Sequence, residues 1–256
     1  MAGEYVIELE RVDKSFGDQV VLEGVNLSIK SGTTLVIVGA SGQGKSVLLK
    51  HMLGLMRPDR GVVRVLGCDL ATCSRKELNE VRRQFGVLFQ NVALFDSMTV
   101  FDNVALPLRE RTGLSESAIR TQVMDKLKLM GVDSAAQKFP AQISGGMQKR
   151  VGLARALVID PQIVFFDEPT TGLDVHKSNE IYRLFYRAQA ELGYTAVIVS
   201  HDVPKIFKLA DEVALLADRQ IQGPLSPEEF QVSTNRHISS FVESTMGSIY
   251  TSELEE

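Results

Sequence analysis

The chain has 256 residues, with 28 Lys and Arg against 32 Asp and Glu and a formal net charge of −4. That mild acidity argues against nucleic acid as the main partner. The length and the 44% hydrophobic content allow one large domain, or a domain with an inserted lobe, whose core needs no covalent staples.

Residues 1–6 are acidic and lack the apolar core of a signal peptide. No apolar run approaches the roughly 20 residues that span a bilayer, so the chain reads as soluble, brought to any membrane by a partner. Short apolar or alternating runs at 6–10, 20–22 and 25–29, broken by Gly and Asp, predict a β-rich opening. A buried strand is expected over 34–38 and another over 61–65, followed by a turn at Gly67-Cys68-Asp69. Cys68 and Cys73 are the two cysteines. They are compatible with a local bridge or half a metal site, but no second pair or nearby His completes one, and plain thiols are the simpler reading. Ser74 and Glu77 form a capping box that starts a short helix. Residues 86–89 read as a buried strand.

A helical stretch runs from about 97 to 130. Pro107 and Gly113 are expected to interrupt it and split it into at least two helices. Such a helix-only segment between strands looks like an inserted lobe. Next come a helix over 145–158, a strand over 163–166, a helix over 175–192 and a strand over 195–199, the alternation of a parallel sheet with helices on its faces. A last strand is expected at 213–216. Ser226, Pro227 and Glu229 start a further helix, and Ile238, Phe241, Val242 and Thr245 share one face of the final one.

Three motifs carry chemistry. Gly39-Ala40-Ser41-Gly42-Gln43-Gly44-Lys45-Ser46 lies between a strand and a helix, which is the context of a phosphate-binding loop. Its glycines let backbone N–H groups turn toward a phosphate chain, Lys45 adds charge for the β- and γ-phosphates, and the Ser46 hydroxyl suits Mg²⁺. Val47 opens the helix whose N-terminal partial charge faces the same anion. Next, the apolar run 163–166 ends in Asp167 and Glu168, at the strand edge where ligands bind in open α/β sheets. Asp167 is placed to hold the shell of Mg²⁺ and Glu168 to act as general base toward an attacking water. Finally, Ser144-Gly145-Gly146 precedes an apolar stripe of Met147, Val151, Ala154 and Val158, and reads as a bare helix start, a second anion site, with a plain N-cap followed by flexible glycines as the alternative.

With these motifs in order, together with Gln90, Thr171-Gly172-Leu173-Asp174 and His201, the chain resembles the ATP-binding cassette (ABC) family over about residues 5–231. The resemblance implies an α/β fold: a P-loop NTPase core with a parallel sheet, an antiparallel β subdomain, and a helical lobe inserted at about 91–158. Residues 232–256 would form a C-terminal helical tail. It implies an ATPase using ATP and Mg²⁺. Gln90 matches the glutamine that links Mg²⁺ to the lobe, and Ser144, Gly145 and Gly146 match the signature that contacts ATP held by the opposite subunit of a homodimer. Asp174 matches an acid between the two sites, His201 the histidine that reaches the γ-phosphate, and Phe16 an aromatic stacking on adenine, with core packing its alternative.

With Ala93-Leu94-Phe95, the run Val100-Phe101-Asp102-Asn103-Val104-Ala105-Leu106-Pro107-Leu108-Arg109-Glu110, and Met147 after Ser144-Gly145-Gly146, the segment 91–110 is similar to that of the ATPases serving Mce-type lipid transporters, such as the Mla phospholipid system. Its Leu94, Phe95, Met98 and Phe101 suit a groove for a partner's helix, with internal packing of the lobe as the alternative. That branch implies a multi-spanning permease, an Mce-domain membrane protein and sometimes a STAS-domain protein as partners, at the cytoplasmic face of a bacterial inner membrane. The tail departs from the Mla type in being short and acidic, ending Leu254-Glu255-Glu256, though Phe241, Met246, Ile249 and Tyr250 suit packing on a neighbour. An ABC ATPase for amino acids or other small solutes, and an ABC scaffold for iron–sulfur assembly, are the alternatives.

Overall fold

The computed structural model describes residues 5–201, 203 and 205–246. The N-terminal residues 1–4 and the tail positions Ile249, Tyr250 and Leu254–Glu256 lie outside them, as does any account of the Met246 side chain. The described chain divides into two units, one built from residues up to Val81 and from Val197 onward, the other from Arg82–Ala196.

In the first unit, β1 (Tyr5–Phe16) and β2 (Gln19–Lys30) form a long antiparallel hairpin, Phe16 opposite Gln19. Its two-residue loop places Gly17 at φ 58°, the left-handed backbone such a loop demands. The strands are longer than the short runs expected, because register shifts within the pairing break the alternation of buried and exposed side chains. β4 (Arg60–Val65) pairs with β1, and β5 (Cys68–Asp69) extends the sheet to four strands where the sequence suggests only a turn. Both cysteines are free thiols. Burial and the neighbouring Cys73 push the Cys68 thiol up to about 12.

The same unit contains β3 (Thr34–Val38), buried along its whole length, running parallel to β9 (Glu212–Ala217). A further strand, β10 (Gln220–Leu225), folds back antiparallel on β9. The sequence reading ended before it, because the two-residue loop is Asp218-Arg219, both at positive φ, and not the Asn-Gly pair that usually marks such a hairpin. α1 (Lys45–Met52) follows β3. α7 (Pro227–Gln231) starts on the expected capping box, and α8 (Arg236–Met246) buries Ile238.

In the second unit, β6 (Phe85–Leu88) and β7 (Ile163–Asp167) pair in parallel, Leu88 opposite Phe166. Phe165 meets Phe85 edge-on at 5.2 Å and Phe166 lies 4.5 Å from Phe185 of α6 (Val175–Leu192). Both phenylalanines of β7 are fully buried, each contributing about 1.5–3 kcal/mol of apolar burial. α3 (Val100–Arg111), α4 (Glu116–Leu129) and α5 (Gly145–Leu157) pack on one another. Each starts on a Ser or Thr whose hydroxyl accepts a first-turn N–H: Thr99, Ser115 and Ser144. The break between α3 and α4 falls at Thr112–Ser115. Pro107, expected to interrupt, sits inside α3. Its missing N–H is tolerated because Val104, Ala105 and Leu108 around it are buried, and that packing outweighs a helix-interior proline's cost of about 3 kcal/mol. α2 (Arg75–Arg83) and β8 (Thr195–Val199) each run across a unit boundary.

Candidate functional site

The loop 39–44 leaves β3 where two glycines are sterically required. A Cβ on Gly39 would lie 2.5 Å from the Leu216 carbonyl oxygen, and one on Gly44 would lie 2.6 Å from Val21 Cγ1. Ala40, Ser41, Gly42 and Ser46 are exposed, while Gln43 and Val47 are half-buried. Lys45 is buried and its Nζ donates to the Gly39 and Ala40 carbonyls at 2.7 and 2.9 Å, so the ammonium is held inside the curve of the loop. α1 begins at Gly44 in a left-handed conformation. Among the described residues no side chain caps its start, and no acidic residue sits in its first turn. Its orphan N–H groups and positive end therefore suit an external anion.

Two further predicted residues belong to this unit. Ser200 N–H donates to the Ile37 carbonyl at 3.2 Å, which brings the exposed His201 to the same strand edge as the loop. Asp202 lies outside the described residues. Phe16, at the end of β1, is 49% exposed, which excludes core packing as its role. Lys14 Nζ lies 5.5 Å from its ring centroid and pairs with Asp59 at 2.7 Å.

In the second unit, the parallel ladder ends with Leu88 opposite Phe166, and Gln90 and Glu168 each follow two residues later. Both lie at the C-terminal edge of their strands. Asp167 ends β7. Glu168 follows at φ 50°, a backbone conformation that costs a non-glycine residue about 1–3 kcal/mol and clusters at working sites. The turn is held by Thr171, whose N–H donates to the Glu168 carbonyl at 3.2 Å and whose hydroxyl donates to Glu168 Oε2 at 3.1 Å. Ser144 Oγ accepts the Met147 N–H at 3.3 Å, so the start of α5 is capped by its own serine, the alternative to a bare end. Gly145 is exposed and Gly146 half-buried. Asp174 caps α6 through the Lys177 N–H at 2.9 Å and pairs with Lys177 Nζ at 2.8 Å. Those hydrogen bonds to Lys177 hold its carboxyl below the usual range.

The apolar segment after Gln90 divides. Phe89 and Phe95 are exposed, Leu94 and Met98 are half-buried, and Phe101 is buried, so Phe101 is not part of an open groove. The Phe101 ring is flanked by the guanidinium groups of Arg109 and Arg120, 6.0 and 5.4 Å from its centroid. Asn103, fully buried, ties the segment down. Its Oδ1 accepts the Phe95 N–H, and its Nδ2 faces the carbonyls of Phe95, Met98 and Thr99. Thr171, Asn103 and Lys149 stand inside sequence motifs without a role of their own being legible there, and Arg155 carries no local signal.

The sequence profile of the family described as ABC transporter matches residues 22–171. A protein named probable ribonucleotide transport ATP-binding protein mkl, from Mycobacterium leprae, is 48% identical over 82% of this chain and 60% of its own length. The chain thus spans less than two thirds of that relative. A protein named intermembrane phospholipid transport system ATP-binding protein MlaF, from Haemophilus influenzae, is 38% identical over 93% of this chain and 90% of its own. A solved structure described as the dimeric, post-hydrolysis state of the ATP-binding cassette MJ0796 bound to ADP and Pi has a TM-score of 0.77 at 32% identity. It covers 86% of this chain and 98% of that one.

Proposed function

This chain belongs to the ABC transporter family, and on that premise we propose that it is the ATP-hydrolysing subunit of a membrane transporter that moves phospholipid. The observation that carries the ATPase reading is the glycine loop closed around Lys45 and followed by an uncapped helix start. In this reading the loop amides, Lys45 and Ser46 bind the phosphates of ATP, Phe16 stacks on the adenine, and His201 reaches the γ-phosphate. Glu168 takes a proton from a water that attacks the γ-phosphorus. The bond to the bridging oxygen breaks, and ADP and phosphate leave.

A magnesium ion suits the donors available. The Ser46 hydroxyl, the Asp167 carboxylate and the Gln90 carboxamide are all hard oxygen ligands. Bound there, the ion would neutralise phosphate charge.

The cassette would cover 1–231, with a helical lobe at about 91–158 and a tail at 232–256. It acts as a homodimer, supported by the dimeric state named for the MJ0796 structure. Ser144, Gly145, Gly146 and Asp174 of one copy meet the ATP of the other, and a helix start adds up to ~2 kcal/mol toward an anion. Closing two copies on ATP and releasing them after hydrolysis drives the attached membrane parts. Among the described residues no helix is long and apolar enough to cross a membrane. Attachment at the cytoplasmic face of the inner membrane therefore falls to a permease, with an Mce-domain protein and a STAS-domain protein as further partners. The exposed Phe95 and Phe89 suit the permease contact.

Phospholipid as cargo is supported by the relative named for phospholipid transport, which this chain matches along nearly the whole of both chains. The higher identity of the relative named for ribonucleotide transport favours a second reading, a small polar solute. Purification of the tagged chain from detergent-solubilised membranes distinguishes them. The lipid reading expects a permease, an Mce-domain protein and bound phospholipid; a permease with a soluble substrate-binding protein and no lipid would overturn it.

A further inference from the structure

One face of α5 holds the turn that carries Gln90. Lys149, Gly152 and Arg155 recur at three-residue spacing and so point to the same side of the helix. Lys149 Nζ donates to the Gln90 carbonyl, and Arg155 donates to the carbonyls of Val92 and Ala93, the latter at 2.7 Å. Between them, α5 approaches so closely that a Cβ on Gly152 would lie 2.3 Å from Val92 Cγ1 and 2.8 Å from Leu88 Cδ1. The turn itself is strained: Val92 and Ala93 sit at φ 57° and 51°. A β-branched residue rarely adopts that backbone, and it persists only where the surroundings enforce it.

Lys149 is 5% exposed and Arg155 is half-buried, and burial lowers the pKa of both. Among the described residues neither meets a carboxylate. Two desolvated cations are spent on backbone carbonyls alone, which is a poor way to add stability but a firm way to hold three carbonyls in one direction. We infer that the Lys149–Gly152–Arg155 face clamps the Gln90–Ala93 turn, so that the helix presenting Ser144–Gly146 and the turn presenting Gln90 move as one body. Lys149 and Arg155 are positioning residues for Gln90. Any movement of the exposed segment beyond Ala93 is then transmitted to the signature helix without a separate hinge. This rests on the reading above in one respect, the role of Gln90 in ATP turnover.

The test uses the full chain with Lys149→Met and Arg155→Met, their conservative counterparts Lys149→Arg and Arg155→Lys, and Gly152→Ala. Hydrogen exchange over 89–96 should rise about tenfold or more in both Met variants and in Gly152→Ala, with exchange in β1 and β2 unchanged. Steady-state kcat should fall by about 10–100-fold while KM for ATP stays within about threefold, as expected for misplacement of a reacting group. The conservative variants should recover kcat to within about threefold. Adding Lys149→Met to Gln90→Ala should cost nothing further, since both act through one side chain. Unchanged exchange over 89–96, or an additive loss in the double variant, overturns the clamp. Loss of kcat matched by an equal rise in KM overturns it too, as general destabilisation. If the Met variants fail to fold, Gly152→Ala with both cations intact decides on the exchange measurement alone. Should Gln90→Ala itself turn over normally, the role of Gln90 falls, and exchange over 89–96 still judges the clamp.

Discussion

Replacing Asn103 by Ala should loosen the segment 93–99 more than any change to its apolar side chains. The carboxamide is fully buried. Its Oδ1 accepts the Phe95 N–H at 2.8 Å, and its Nδ2 lies 3.1, 3.2 and 3.0 Å from the carbonyls of Phe95, Met98 and Thr99. An NH₂ group has two hydrogens, so at most three strong bonds are made at once. At about 0.5–1.5 kcal/mol each, the upper total is about 4.5 kcal/mol. Part of it is recovered, because the freed groups lie next to exposed Phe95 and Asp96 and can reach water, leaving about 2–3 kcal/mol. For a chain of this size that lowers the melting temperature by roughly 5–10 °C. Cleavage by a low dose of chymotrypsin at Phe95 should rise before global unfolding does. Thermal melts and timed proteolysis of Asn103→Ala beside wild type check this. A melt within 1 °C or so of wild type, together with an unchanged cleavage rate at Phe95, would refute the argument that this amide organises the loop.

Acid should destabilise the first unit through His51. The ring is fully buried on α1, Nδ1 contacts the Val47 carbonyl at 2.7 Å, and Nε2 meets no partner at full hydrogen-bond geometry among the described residues. Burial, and secondarily Lys14, hold its pKa below the usual 6.5, against smaller opposite effects of the Val47 and Arg57 backbone and of Asp59. The unfolded chain therefore binds more protons between the folded pKa and 6.5, so stability is intact above that window and falls as pH drops through it, by at most about 1.4 kcal/mol per pH unit. Urea titrations should show a shallower pH dependence for His51→Leu, and parallel profiles would contradict the assignment. At the loop, Gly39→Ala drives a methyl group to 2.5 Å from the Leu216 carbonyl. Equilibrium dialysis should find ATP affinity reduced by at least about tenfold, whereas wild-type affinity in a folded variant would mean the loop can shift without consequence.

Much of this fold was legible because its signals are local. The bounds of β3, α6 and β8 match the sequence reading, and the capping boxes at Ser74 and Ser226 form as written. Where local rules failed, a longer-range term won. Buried neighbours keep Pro107 inside α3, and irregular register obscures the length of the first hairpin. The β10 return was hidden because Asp218 and Arg219 take a backbone usually assigned to Asn and Gly. The phosphate loop could be read because its chemistry uses contiguous backbone at fixed spacing. Lys149 and Arg155 could not, since their partners are carbonyls 59 to 63 residues away, and a carbonyl leaves no trace in side-chain identity. For Phe101 the sequence leaves groove and lobe packing both open, because apolar composition does not distinguish an inward from an outward face in a short connection; the structure takes lobe packing.

The central claim is that the carboxylate of Glu168, just past the end of β7 on a backbone at φ 50°, draws the proton from water during ATP cleavage. Single-turnover hydrolysis by Glu168→Gln, measured alongside nucleotide binding and sedimentation, tests it most directly. The account predicts a rate lowered by about 10²–10⁴, ATP affinity retained, and dimers that accumulate only with ATP. Hydrolysis at the wild-type rate by a folded, nucleotide-binding Glu168→Gln protein would contradict it.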